Sequence, residues 1–241
     1  LQIGKGYWTG EVLLIQAVNP TAGLFRGDSV ETKILVRNGA KILFTSPSAT
    51  RSHTMESGRA EVEQYYSVEK GAWLEIWPEL LIPQKCSDYE QRTRIETETG
   101  ASFFLVETTA PGRVAHHESL AFRRIAIDLE LRRAGRLIAL ERYELTPDHP
   151  AIRILKARFP NPYSLTAYFS FRSARLGDAE LEAIYQLHSD SCWVGCSEIE
   201  SGVYCLRMVG GESGYLRENI SAVRRILVPH EPALAVSPRK L

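Results

Sequence analysis

Four glycines constrain what this chain can fold into. Gly39, Gly71, Gly100 and Gly135 sit in Asn38-Gly39-Ala40, Lys70-Gly71-Ala72, Thr99-Gly100-Ala101 and Ala134-Gly135-Arg136, and they recur about every 30 residues. Each separates two extended runs. The leading runs alternate: Val30, Thr32, Ile34 and Val36 in the first copy, and Ile125, Ile127, Leu129 and Leu131 in the last, with charged residues mostly between them. Period-two alternation describes a strand with one face in a core and one in water. The trailing runs are more continuously apolar, as in Ile42-Leu43-Phe44, Trp73-Leu74-Glu75-Ile76-Trp77 and Ser102-Phe103-Phe104-Leu105-Val106. That texture fits strands covered on both faces. Gly tolerates the positive φ of tight turns, and Asn-Gly is a strong hairpin signal. The expected fold is mainly β: stacked β-hairpins forming a two-layer, β-helix-like scaffold over residues 1–150. The loops between hairpins, Thr45 to His53, Pro78 to Cys86 and Ala110 to Glu118, should gather along one side of the stack.

The pattern changes at Asp148-His149-Pro150. Ile152 to Phe159 and Leu165 to Phe171 read as two further strands. Asp178 caps a short helix, and a strand pair, Cys192 to Ile199 and Val203 to Val209, is joined through Ser201-Gly202. A second helix starts at Ser213, with Leu216, Ile220, Val223 and Leu227 on one face, and stops at Pro229. The tail from Glu231 to Leu241 reads as extended. Residues 151–241 are thus expected to form a small α/β helix–hairpin–helix portion, packed with the first 150 residues as one continuous domain.

The chain has 29 basic and 29 acidic residues, a balance that argues against nucleic acid or a membrane surface as partner. No apolar run approaches the roughly 18 residues needed to span a bilayer. The start, Leu1-Gln2-Ile3, lacks the shape of a secretory signal and has no initiator Met, which suggests a missing N-terminal piece. Cys86, Cys192, Cys196 and Cys205 are too few for a disulfide framework and read as reduced thiols of a cytoplasmic protein. Gly210-Gly211-Glu212-Ser213-Gly214 has the wrong spacing for a nucleophile elbow, and Gly4-Lys5-Gly6 is not a phosphate loop. Paired arginines at Arg123-Arg124, Arg132-Arg133 and Arg224-Arg225 read as solvated faces. With no evident reaction centre, the residues describe a non-enzymatic scaffold with no tightly bound cofactor. Two alternatives stand beside it. One is a zinc-stabilised interaction module using His188, Cys192, Cys196 and Cys205, against which inert, buried thiols are the simpler reading. The other is a β-solenoid enzyme acting on polysaccharide, although regular short coils and a secretion signal are both lacking.

The loops carry a more specific signal. Pro20-Thr21-Ala22-Gly23 with Gly27-Asp28, then Ala49-Thr50-Arg51, then Gly71-Ala72-Trp73-Leu74-Glu75-Ile76-Trp77-Pro78 with Ile82, then Gly112-Arg113-Val114-Ala115-His116-His117-Glu118 occur in that order. Together they resemble the motifs of the UreD (UreH) family of urease accessory proteins, over roughly residues 19–230. Ala22, Pro83 and His117 depart from the family pattern. The resemblance implies a maturation chaperone that binds a UreF-type accessory protein, a UreG-type GTPase and the urease apoprotein, in a complex that allows a dimer of heteromers. It implies nickel in transit through an internal polar channel, with the nucleotide supplied by the GTPase partner. The motif-matched polar residues Asp28, Thr50, Arg51 and Glu118, with the local additions His116 and His117, are the candidates for that path. Oxygen and imidazole donors that hold nickel weakly enough to release it suit such a path.

Overall fold

The computed structural model describes residues 1–172 and 175–238. Its main strands begin with β1 (Val12–Val18), β2 (Ser29–Val36), β3 (Lys41–Thr45), β4 (Ala60–Val68) and β5 (Trp73–Trp77). They continue with β6 (Asp88–Thr97), β7 (Ser102–Thr109), β8 (Arg124–Arg133) and β9 (Arg136–Leu145), followed by helix α1 (Pro150–Arg158). Then come β10 (Tyr163–Ser170), α2 (Asp178–Tyr185), β11 (Cys192–Glu200), β12 (Val203–Gly210) and α3 (Ser213–Leu227).

The two-layer, β-helix-like stack is present. The leading strands β2, β4, β6 and β8 lie parallel in one five-stranded sheet, and β9 returns antiparallel along β8. The trailing strands β3, β5 and β7 lie parallel in a second sheet, preceded by β1 and continued antiparallel by β10, β12 and β11. The hinges differ from expectation in one respect. At Gly39, Gly71 and Gly100 the two arms do not pair with each other; each hinge is a corner that carries the chain from one sheet to the other. A two-residue hairpin with Gly at its second central position is a type I′ turn and needs positive φ at both central positions. Only the fourth hinge supplies it, with Ala134 at 49° and Gly135 at 77°, and there β8 and β9 pair as a true hairpin. The first three have one left-handed residue each, at 75°, 74° and 83°. Each corner closes with an i to i+3 bond: the Ala40, Ala72 and Ala101 N–H groups donate to the carbonyls of Arg37, Glu69 and Glu98 at 3.0–3.1 Å.

The loops collect along one edge, as expected, and form a short parallel ledge. Leu24 bridges to Ser52, Thr50–Ser52 pairs with Leu81–Pro83, and Leu81 pairs with Thr109. Two glycines make this possible by close approach. A Cβ on Gly23 would sit 2.3 Å from the Arg51 carbonyl, and one on Gly112 would sit 1.9 Å from that of Glu118, with φ at 147° and 140° respectively.

Two elements depart from the sequence reading. Ile152 to Phe159 lies mostly in helix α1, not a strand. Pro150 occupies its first turn, and His149 Nδ1 accepts the Ala151 N–H at 3.2 Å, so a boundary signal was in fact a helix start. In the tail, Pro232–Ala235 forms a 3-10 turn capped by the Glu231 carboxylate; residues 239–241 lie outside the described residues. The helices α2 and α3 flank the β11–β12 pair as read, but Asp178 is the first residue of α2 rather than its cap: the N-cap is Gly177, whose N–H donates to Glu180 at 3.0 Å.

Apolar packing falls into three zones. Between the sheets, one cluster lies toward the Gly corners (Val68, Leu74, Ile95, Leu131) and another toward the ledge (Leu24, Val62, Leu81, Ile125). The third covers the other face of the second sheet, where Phe104, Phe169 and Leu206 meet Leu216, Ile220 and Leu227 of α3. Arg224, read as solvated, is buried there. It forks onto the fully buried Glu75 at 2.8 and 3.0 Å, donates to the Val236 carbonyl at 2.9 Å and lies 5.0 Å from the Trp77 ring. The two charges are 149 residues apart in the chain, which no local pattern reveals.

Candidate functional site

Between the two interior apolar clusters lies a layer of polar side chains around a cavity of about 250 Å³. Its chemistry follows from strand parity. On β4 the inward positions run Val62, Gln64, Tyr66; on β6 they run Tyr89, Gln91, Thr93, Ile95; on β7 they run Phe103, Leu105, Glu107. Parallel register places Gln64 beside Thr93. Thr93 donates to Gln64 Oε1 at 3.0 Å, the Tyr89 hydroxyl donates to Gln91 Oε1 at 2.6 Å, and Gln91 Nε2 reaches Thr93 at 3.1 Å. Gln91 also donates to the Glu107 carboxylate, and Thr93 stands 3.4 Å from it.

Glu107 is the one carboxylate in this hydrogen-bonded set. Such accessible surface as it keeps faces the cavity rather than bulk solvent, so burial pushes its carboxyl up to about 7, against the pull of the Gln91 donor and with a further push from Glu141. Sequence reading missed it because the apolar run of β7 ends at Val106. The available signal was parity: Glu107 continues the inward positions of Phe103 and Leu105.

Of the expected path residues, Thr50 and Arg51 line this cavity at the ledge, beside Ala22, Gly23 and Leu24. Asp28, His116, His117 and Glu118 lie outside its lining. Asp28 accepts the Phe25 N–H at 2.8 Å and closes its own turn. Glu118 makes a forked pair with Arg113, at 2.8 and 2.6 Å, and takes the Lys85 N–H at 3.2 Å; these partners hold its carboxyl below the usual range. His116 and His117 are exposed. His188 accepts the Val194 N–H at 3.2 Å, and Cys196 and Cys205 point to opposite faces of the β11–β12 pair. Burial raises the Cys192 thiol and takes Cys196 to about 12, which leaves both unreactive. Among the described residues, no three His, Cys, Asp or Glu side chains converge to hold a metal ion, and no helix is long and apolar enough to cross a membrane.

The polar lining of the cavity therefore comprises the carboxylates of Glu79 and Glu107, the amides of Asn19, Gln64 and Gln91, the Arg51 guanidinium and several hydroxyls. Oxygen donors of this kind bind a divalent cation loosely and exchange it readily.

Residues 1–240 match the sequence model of a family described as UreD urease accessory protein. The chain is 37% identical to the urease accessory protein UreD of Opitutus terrae, over 99% of this chain and 89% of the relative. It is 34% identical to the UreD of Deinococcus radiodurans over a shorter stretch, 56% of this chain and 49% of that protein. The UreD of Acetivibrio thermocellus is 23% identical over 94% and 87%.

Proposed function

Since the chain belongs to the UreD urease accessory protein family, we propose that it is a maturation scaffold whose interior cavity passes nickel toward the urease apoprotein. Its relatives are urease accessory proteins, which mature an enzyme rather than act as one. The observation that carries the nickel reading is the polar layer of Gln64, Gln91 and Glu107, with Thr93 bonded to them, between two apolar clusters of the solenoid interior. Buried polar groups weaken a core relative to well-packed apolar ones, so a layer of them lining open space points to a passenger. Nickel enters at the ledge past Thr50 and Arg51 and is held in passing by Glu107. Outside the cavity, Asp28, His116, His117 and Glu118 supply carboxylate and imidazole donors near the approach. A UreF-type protein and a UreG-type GTPase are the partners, the second supplying the nucleotide chemistry that this chain has no loop to perform. The four free thiols fit a reducing, cytoplasmic setting.

The test is Glu107→Gln in urease-producing cells. The variant should co-purify with its accessory partners as wild type does, while the urease isolated from those cells carries less nickel per active site. Full nickel loading with this variant would overturn the reading.

A further inference from the structure

The polar layer does not stop at Glu107. Register on β7, β10 and β12 sets Glu107, Thr166 and Arg207 side by side on the inward face of the second sheet. The neighbouring row, Leu105, Tyr168 and Cys205, carries no charge. The next position, on edge strand β11, is Gly195, where a Cβ would meet nothing within 4 Å. A polar row thus runs from the cavity wall, which Glu107 and Thr166 line, to the solvent, where the Arg207 side chain is 60% exposed. Facing its outer end is β9, the edge strand of the opposite sheet. There Glu141 takes Arg207 Nη2 at 2.6 Å and accepts the Tyr168 hydroxyl. Tyr143, two residues along β9 on the same side, lines the cavity. The Glu141–Arg207 pair therefore ties β9, the edge of one sheet, to β12, the strand next to the edge of the other, where the polar row reaches the surface.

We propose that this corner is a second, latched opening of the cavity. Breaking the Glu141–Arg207 contact opens a lateral passage, and a divalent cation held at Glu107 moves to the freed Glu141 carboxylate on its way out. Arg207 and the cation compete for one carboxylate, so passage and closure exclude each other. A pair with one solvated partner is weak enough to open when a docking protein offers Arg207 another carboxylate. That the cation is nickel rests on the function proposed above; the opening does not.

The opening is tested with the full chain carrying Cys86→Ser, Cys205→Ser and Thr166→Cys, by timing modification of the introduced thiol with a small neutral methanethiosulfonate. Arg207→Ala should raise the rate about tenfold, the scale set by removing one charged hydrogen bond from the closed state. A bulky Thr50→Trp at the ledge should leave that gain in place, because the reagent enters from the side. An unchanged rate in Arg207→Ala, or a gain that Thr50→Trp removes, would overturn the lateral opening. Transfer is tested by Glu141→Gln, which keeps an acceptor for Tyr168; urease from such cells should lose nickel to the extent seen with Glu107→Gln. If only Glu107→Gln lowers nickel, the step to Glu141 fails while the cavity reading stands. If neither does, the nickel reading fails and the cation step with it.

Discussion

Glu75 and Glu107 stand on adjacent strands of one sheet, β5 and β7, and face opposite sides of it. Glu75 points to the zone packed by α3, and Glu107 points into the space between the sheets. Burial lifts both to about 7. What differs is the partner. Glu75 meets a buried guanidinium in a two-pronged fork, which pulls its carboxyl back down and pins α3 to the solenoid. Glu107 meets only neutral amides and hydroxyls, beside open volume. The same residue type, its carboxyl raised by burial on both faces of one sheet, is a structural clamp in one place and a carboxylate without a counter-charge in the other. The cation it faces, not the burial, decides which.

The largest expected effect comes from breaking the clamp. Arg224→Ala leaves Glu75 buried without its counter-charge and should cost about 3–5 kcal/mol in urea unfolding, whereas the joint Glu75→Leu, Arg224→Met change should cost much less. A single variant as stable as wild type would show that the pair does not hold α3.

Glu107→Gln should act in the opposite direction and depend on pH. The folded carboxyl sits near 7 and the unfolded one near 4.5. The folded state therefore binds the extra proton between those values, and the wild type loses stability as pH rises through that window. Removing the charge should leave stability similar at pH 4.5 and raise it by at most about 3 kcal/mol at pH 8, read as a difference in melting curves. A constant difference across that range would mean that Glu107 titrates normally.

Gln91→Leu should cost about 1–3 kcal/mol, because it strips Glu107 and the Tyr89 hydroxyl of partners inside the layer. It sharpens the comparison by asking whether neutral donors suffice to hold a buried carboxylate. The smallest effect is expected for Glu118→Ala, whose forked partner Arg113 is partly solvated. Its unfolding midpoint should match wild type within error, and nickel loading of urease should fall if the ledge approach uses this carboxylate.

Much of the scaffold was legible in the chain. The alternation of Ile125, Ile127, Leu129 and Leu131 and the recurring Gly corners are local signals, and they gave strands, layers and the edge where loops gather. The same glycines did not distinguish a corner from a hairpin, since that depends on whether the residue before Gly also adopts positive φ, as Ala134 does. Helix α1 was missed because its short, weakly amphipathic run contains one buried side chain, Ile152. Of the site, only the rim, Thr50 and Arg51, was found. Gln64, Gln91 and Thr93 hold inward parity on their strands, but polar residues at such positions become a layer only once three strands are stacked in register.

By itself, the order of residues determined the β content, the period of the stack, the ledge and the family, because each rests on contacts or motifs a few residues long. Tertiary structure alone decided which buried carboxylate met an arginine and which met a cavity. Those outcomes depend on side chains tens to 149 residues apart arriving at the same depth, and burial energy depends on what lies across the gap, which no local pattern encodes.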